Sequence, residues 1–240
     1  EAAQLWQEIM ATDDLRDRPY ERALVKINYG LCLHRLRHER ARMALAEATT
    51  AVEEVADHFE TEGMRERAFD CYQLLARLGS EAGAFENVAE GYRNSVRILR
   101  DDGLKLDALR LYEAFITLAR RAGEWHAAAG ILREAADYCT RVALPYADDL
   151  RLRAAEAWLR TAGEAQAAGH PLQIVENALL AAAESFASVR AFAQVVEVYK
   201  RLCALELPIK ARERYRRLVD RLGDDQQDAP RPVPVPEFLK

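Results

Sequence analysis

What this sequence has little of narrows its function first. Cysteine occurs four times, at Cys32, Cys71, Cys139 and Cys203, widely spaced and with no CxxC pair. Each lies in a helical pattern beside apolar residues, so the four read as small core residues of a reducing, cytoplasmic setting and not as a disulfide frame. Lysine is scarce, confined to Lys26, Lys105, Lys200, Lys210 and Lys240, so basic charge is carried by arginine. The formal net charge is −5, and a general affinity for nucleic acid, which needs a basic surface to release counterions, is not expected. No run approaches the roughly 18 uninterrupted apolar residues of a membrane span, and the N-terminus lacks the basic-then-apolar layout of a signal peptide. The chain opens at Glu1 without a methionine, which reads as a piece of a longer protein.

Catalytic constellations are missing as well. There is no glycine-rich phosphate loop, no HExxH, and no Cys and His pair at metal spacing. His34 and His38 stand four apart, half of a metal clasp, but no Cys or carboxylate completes it, and solvation explains them. Asp101-Asp102 and Asp148-Asp149 are adjacent pairs that helix ends and surface charge account for. The expectation is a protein that is not an enzyme and holds no cofactor and no metal.

What is present is a repeat. Residues 61–140, written as two rows of forty, match column by column: Gly63 on Gly103, Ala68 on Ala108, Tyr72 on Tyr112, Leu78 on Leu118, Gly83 on Gly123, Phe85 on Trp125 and Ala89 on Ala129. A fixed period of this size marks units that bury their apolar faces only against their neighbours. Each row reads as two helices meeting at a glycine turn. The 3.6-residue period extends this reading along the chain, predicting helices over 1–11, 20–37, 40–60, 64–80, 84–100, 104–121, 124–141, 146–162, 172–188, 192–205 and 208–222. Asp17 and Pro19 stand where a helix start wants a capping carboxylate and a residue without N–H. The recurring aromatics Tyr72, Phe85, Tyr112, Phe115, Trp125 and Trp158 read as inter-helix core.

The stretch Ala122-Gly123-Glu124-Trp125-His126-Ala127-Ala128-Ala129-Gly130-Ile131-Leu132, with Ala135 beyond, resembles tetratricopeptide repeats in its order of glycine, aromatic, small and large residues. Gly83, Phe85, Val88, Tyr92 and Ser95 echo it, as do Phe192, Val195, Tyr199 and Leu202. The resemblance covers most of 20–208. It implies an all-α, right-handed α-solenoid (superhelix) of antiparallel helical hairpins over 1–222, closed by a capping helix at 208–222. The period of forty exceeds the family's usual 34, and the longer hairpins are similar to those of soluble NSF attachment proteins. Between 146 and 188 the motif assigns two first helices in succession. Either a second helix has shrunk there, or 146–168 pairs with 172–188.

In tetratricopeptide proteins the first helix of each hairpin lines the inner surface and its exposed positions hold the ligand. The resemblance therefore points to Arg77 in one repeat, to Arg110, Glu113, Thr117, Arg120 and Arg121 in the next, and to Arg153 and Arg160 after it. Planar guanidinium groups at repeating spacing suit carboxylate-rich or phosphorylated segments, while a solvated face with ion pairs such as Arg110–Glu113 is the plainer reading. Thr117 and Arg77 occupy places where the family's chaperone-tail clamp needs an asparagine, so that ligand is not expected. The expected function is a protein-interaction scaffold binding an acidic peptide or helix on its concave face. The alternatives are a regulatory sensor solenoid of a larger signalling protein and a membrane-trafficking adaptor like the attachment proteins. Helix 208–222 is strongly basic and reads as a cap with a wet outer face. Beyond it, 223–228 reads as a polar linker, and the alternate prolines of 230–236 require an extended polyproline II segment. Phe238 and Leu239 are the expected anchors of that tail, docked on its own chain or on a second copy in self-association.

Overall fold

Turns organise this chain as much as helices do. The computed structural model describes residues 1–222 and 232–240. Among them, eight helix ends share one device, a single residue in left-handed conformation: Arg37, Gly63, Gly83, Gly103, Gly123, Ala143, Gly169 and Arg190, with φ from 52° to 79°. The following residue donates its N–H five places back, as Ala84 does to Gly79 O (2.8 Å), Glu124 to Ala119 O (2.9 Å) and Leu144 to Cys139 O (2.8 Å). Carbonyls orphaned at the helix end are thereby satisfied, and the chain reverses within three residues. A Cβ built on Gly83 would meet nothing within 4 Å, so backbone conformation alone selects glycine there.

Five of these residues fall at a beat of twenty, 63, 83, 103, 123 and 143. One helix and one turn fill each beat, and two beats make the forty-residue repeat. The structure carries the beat one turn further than the visible repeat does, because Ala143 adopts a conformation that the earlier turns give to glycine.

The helices in order are α1 (Ala2–Met10), α2 (Pro19–Arg35), α3 (Ala41–Thr61), α4 (Arg65–Ala82), α5 (Phe85–Asp101), α6 (Lys105–Arg121), α7 (Trp125–Arg141), α8 (Ala147–Ala167), α9 (Leu172–Ser188), α10 (Phe192–Ala204) and α11 (Ile209–Leu222). No strand occurs among the described residues. Arg18 is the residue before α2 and makes no side-chain cap bond, with Pro19 opening the helix. Asp17 is thus not the capping carboxylate the sequence suggests.

The chain, expected to form one repeat domain over 1–222, divides into two compact units, Glu1–Leu111 and Tyr112–Lys240, with the boundary inside α6. In the first unit α2 packs on α3, α3 on α4 and α4 on α5. Val52, Ala56, Ala68 and Leu75 are fully buried at its centre, and Tyr20 tilts against Phe59 at 6.2 Å. Helix α5 lies directly on the backbone of α4, since a Cβ on Gly91 would stand 2.5 Å from Tyr72 O and 2.6 Å from Ala76 N. Arg65 of α4 reaches both Asp102 (3.1 Å) and Asp101 (3.5 Å) at the end of α5.

In the second unit α7 packs on α8, α8 on α9, α9 on α10 and α10 on α11. Helix α8 packs on both α7 and α9, and residues 168–171 between α8 and α9 hold no further helix. Small side chains allow this packing: Ala128, Ala129, Ala135, Ala154, Ala155 and Ala182 are all buried. Tyr215 fixes α11, stacking on Tyr199 at 5.9 Å and donating its hydroxyl to Glu176 Oε1 at 2.5 Å. Helix packing on the next in sequence, along α1–α5 and along α7–α11, makes this an all-α helical-repeat solenoid. No described helix is long and apolar enough to cross a membrane.

Candidate interaction site

Helix geometry sets up the face on which the site lies. Spacings of four, four and three put Asp149, Arg153, Ala157 and Arg160 on one side of α8, and the same logic aligns Glu113, Thr117 and Arg120 on α6. Arg153 joins the two helices. Its Nη1 and Nη2 donate to Glu113 Oε1 and Oε2 at 2.6 and 2.7 Å, and Nη1 also reaches Asp149 Oδ2 at 3.5 Å. Glu113 is only 1% exposed. Burial works against the charge on Arg153, but its bonds and attraction to Glu113 and Asp149 outweigh that, and its pKa lies above the ordinary guanidinium value. Glu113 and Arg153, placed by resemblance among the exposed ligand contacts, are instead a largely buried strut. Helical spacing assigns a side chain to a face but not to a depth, and a bidentate fork satisfies the carboxylate inside the seam.

Toward the other end of the face the charges are open. The guanidinium carbons of Arg120 and Arg160 lie 5.6 and 4.8 Å from the centre of the Trp125 ring. Both arginines are exposed and Trp125 is half-buried. Neither arginine has a carboxylate partner among the described residues, and each gains a cation–π contact that holds its flexible stem in place. Arg121, beside them, is exposed, and Thr117 is half-buried. His126 meets Trp158 edge-on at 4.9 Å, on the first turn of α7.

The candidates of the first unit behave as the plainer reading expects. Arg77 bonds Glu81 at 3.1 Å, and Arg35 shares that carboxylate at 3.1 Å. Arg110 pairs with Asp107 at 3.3 Å, not with Glu113. These are solvated ion pairs of small individual weight. His38 accepts the backbone N–H of Arg40 on Nδ1 at 3.1 Å.

The C-terminal segment belongs to the second unit. The polar linker and the first proline of the expected polyproline segment lie outside the described residues. From Pro232 the chain is extended, with Pro236 at φ −59° and ψ 145°, and it ends in a single 3-10 turn at Glu237–Leu239. Val235 donates its N–H to Asp149 Oδ2 at 3.4 Å, which seats the segment at the start of α8. Leu239 is fully buried, Val235 is 1% exposed, and Phe238, one of the two expected anchors, is 71% exposed. The tail thus docks on its own chain, through Val235 where the sequence reading named Phe238.

Sequence reasoning missed Trp125, Asp149 and Val235 as parts of this face. Trp125 shares a repeat column with Phe85 and so reads as core. Asp149 carried a signal, since it precedes Arg153 by one helical turn. Val235 and Leu239 are four apart on either side of Pro236, a spacing that no rule for regular structure singles out. A recess of about 420 Å³ in the same unit is lined by Arg133, Asp137, Arg151, Trp158, Glu184 and Ser185, among others. Its charges balance.

No protein-family model and no curated protein matches the chain. Among solved structures it is similar to BtubC (BKLC) from P. vanneervenii, at 14% identity and TM-score 0.31 over 98% of this chain and 92% of that one. A filament termed DHF79 aligns at 21% identity and TM-score 0.27 over 87% of this chain and 100% of its own. The de novo designed helical repeat protein DHR64 aligns at 20% identity and TM-score 0.26, covering 86% and 95%. At these scores the likenesses carry no argument about function.

Proposed function

We propose that this chain is a non-catalytic protein-interaction scaffold of the tetratricopeptide kind, which holds an acidic segment of a partner protein on the α6–α8 face of the Tyr112–Lys240 unit. The observation that carries this reading is the pair of exposed arginines, Arg120 and Arg160, set over Trp125 without carboxylate partners among the described residues. Guanidinium groups already positioned on an aromatic ring lose less freedom on meeting a carboxylate, and their planar forks bind it through two bonds. Trp125 adds the rigid aromatic surface that interaction centres favour. The face is locally basic on a chain of net charge −5, so an acidic segment would be drawn to it against the general field. A sensor of small apolar ligands is less well supported, because the recess beside Trp158 is lined by Arg133, Asp137, Arg151 and Glu184.

The test is affinity capture from host lysate with the whole chain as bait, beside the double variant Arg120→Glu, Arg160→Glu. A partner retained by the native chain and lost by the variant, with helicity unchanged, is expected. Equal capture by both would remove this face from consideration.

A further inference from the structure

The C-terminal segment contacts its own unit as a bound peptide would. Apart from the 3-10 turn at its end it has no ladder or helix to tie it down, and its prolines remove donors at Pro232, Pro234 and Pro236. Contact with the unit comes from two buried side chains, Val235 and Leu239, and one long backbone bond to Asp149. Meanwhile Val233 (49% exposed) and Phe238 (71% exposed) face solvent and contribute little to the docking. A polyproline II strand is already extended before it binds, so little order is lost when such a segment docks. The recognition used here is that of extended proline-spaced ligands, with two apolar residues anchored and Glu237 and Phe238 between them left outside.

We propose that the seat at the start of α8, beside Asp149, is a receptor for extended, proline-spaced segments of a partner protein carrying two apolar anchors four residues apart, and that residues 232–240 are its resident occupant in cis. A tethered segment acts at an effective concentration on the order of millimolar. The seat therefore stays closed to weak ligands and opens to a segment that binds better or arrives at a second site as well. This inference stands on the docked segment and on Asp149, which also meets Arg153, and uses neither Arg120 nor Arg160.

The experiment uses the full chain and the double variant Val235→Asp, Leu239→Asp, which frees the segment without touching the seat. The probe is a fluorescein-labelled synthetic peptide, Pro-Val-Pro-Val-Pro-Glu-Phe-Leu-Lys, followed by anisotropy. The freed variant is expected to bind it saturably and at least tenfold more tightly than the native chain. A second peptide, with serine in place of the residues matching Val233, Glu237 and Phe238, is expected to bind within threefold of the first, since those positions stay outside. The additional substitution Asp149→Ala is expected to weaken both peptides. Absence of binding by the freed variant, with far-ultraviolet circular dichroism and melting unchanged, would overturn the proposal. So would equal binding by the native chain. A native dimer that dissociates in the double variant would place the segment on a second copy and overturn the cis arrangement.

Discussion

Arg153 grips Glu113 with both terminal nitrogens, at 2.6 and 2.7 Å, and the carboxylate it holds is 1% exposed. The two residues stand forty apart, one full period of the repeat, so the bond ties equivalent positions on successive first helices. Its energetics are asymmetric. Arg153 has a second carboxylate in Asp149 (3.5 Å) and remains partly exposed, whereas Glu113 depends on Arg153.

Arg153→Ala should therefore be the more damaging change, because it strands a buried carboxylate, a loss on the order of 3–5 kcal/mol. Glu113→Gln leaves Arg153 paired to Asp149 and should destabilise by about 1–3 kcal/mol. Urea denaturation of the two variants checks the order. Equal losses would show that Glu113 finds another partner.

The turns yield a prediction of opposite sign. Ala143 has φ 58° where Gly123, one beat earlier, has φ 79°. A left-handed non-glycine residue is strained by about 1–2 kcal/mol, while glycine gives back roughly 0.5–1 kcal/mol through unfolded-state entropy. Ala143→Gly should stabilise the chain by about 0.5–1 kcal/mol, raising the melting temperature by about 2–4 °C at most. A lowered melting temperature would mean that the Ala143 side chain makes contacts that offset its strain.

This same position shows what the sequence could and could not reveal. Glycines at 63, 83, 103 and 123 make the beat visible, and the turn at Ala143 hides it, although the backbone makes the same bend and the same bond to Cys139 O. Helix bounds follow from apolar periodicity, so all eleven helices among the described residues are legible within a few residues. The burial of Glu113 is not, because it depends on a contact with Arg153 two helices away. Nor is the exposure of Phe238 beside the buried Leu239: the two share a single 3-10 turn, and only the seat decides which side of it is covered.

Close approach makes Gly91 the most sensitive small residue of the first unit. A Cβ there would stand 2.5 Å from Tyr72 O and 2.6 Å from Ala76 N, both backbone atoms that cannot rotate away. Gly91→Ala should force α4 and α5 apart, destabilising by about 1–3 kcal/mol despite the better helix propensity of alanine. Gly130→Ala, at a helical glycine whose added Cβ would meet nothing within 4 Å, should instead stabilise slightly, by up to about 1 kcal/mol. The pair of melting curves separates packing from propensity, and parallel shifts in the two variants would refute the close-approach argument.

The buried thiols add to an alkaline loss of stability that they share with Tyr72 and Tyr215, which burial pushes up to about 12. Burial pushes Cys71 and Cys139 up to about 11 from an ordinary 9.0, with smaller contributions from Asp70 and Glu113 respectively. Between those values the unfolded chain loses protons that the folded chain keeps, so the unfolded state binds fewer protons and stability falls as pH rises from about 9 to about 11. Below pH 9 the two thiols are neutral in both states and add no slope. Alanine at both positions should lower stability at neutral pH through lost packing, yet flatten its decline over that alkaline window. Ellman's reagent on the native protein should find Cys32 and Cys203, both partly exposed, well before Cys71 and Cys139. Four thiols reacting at one rate, or an alkaline slope unchanged in the double alanine variant, would show that these side chains reach solvent without unfolding.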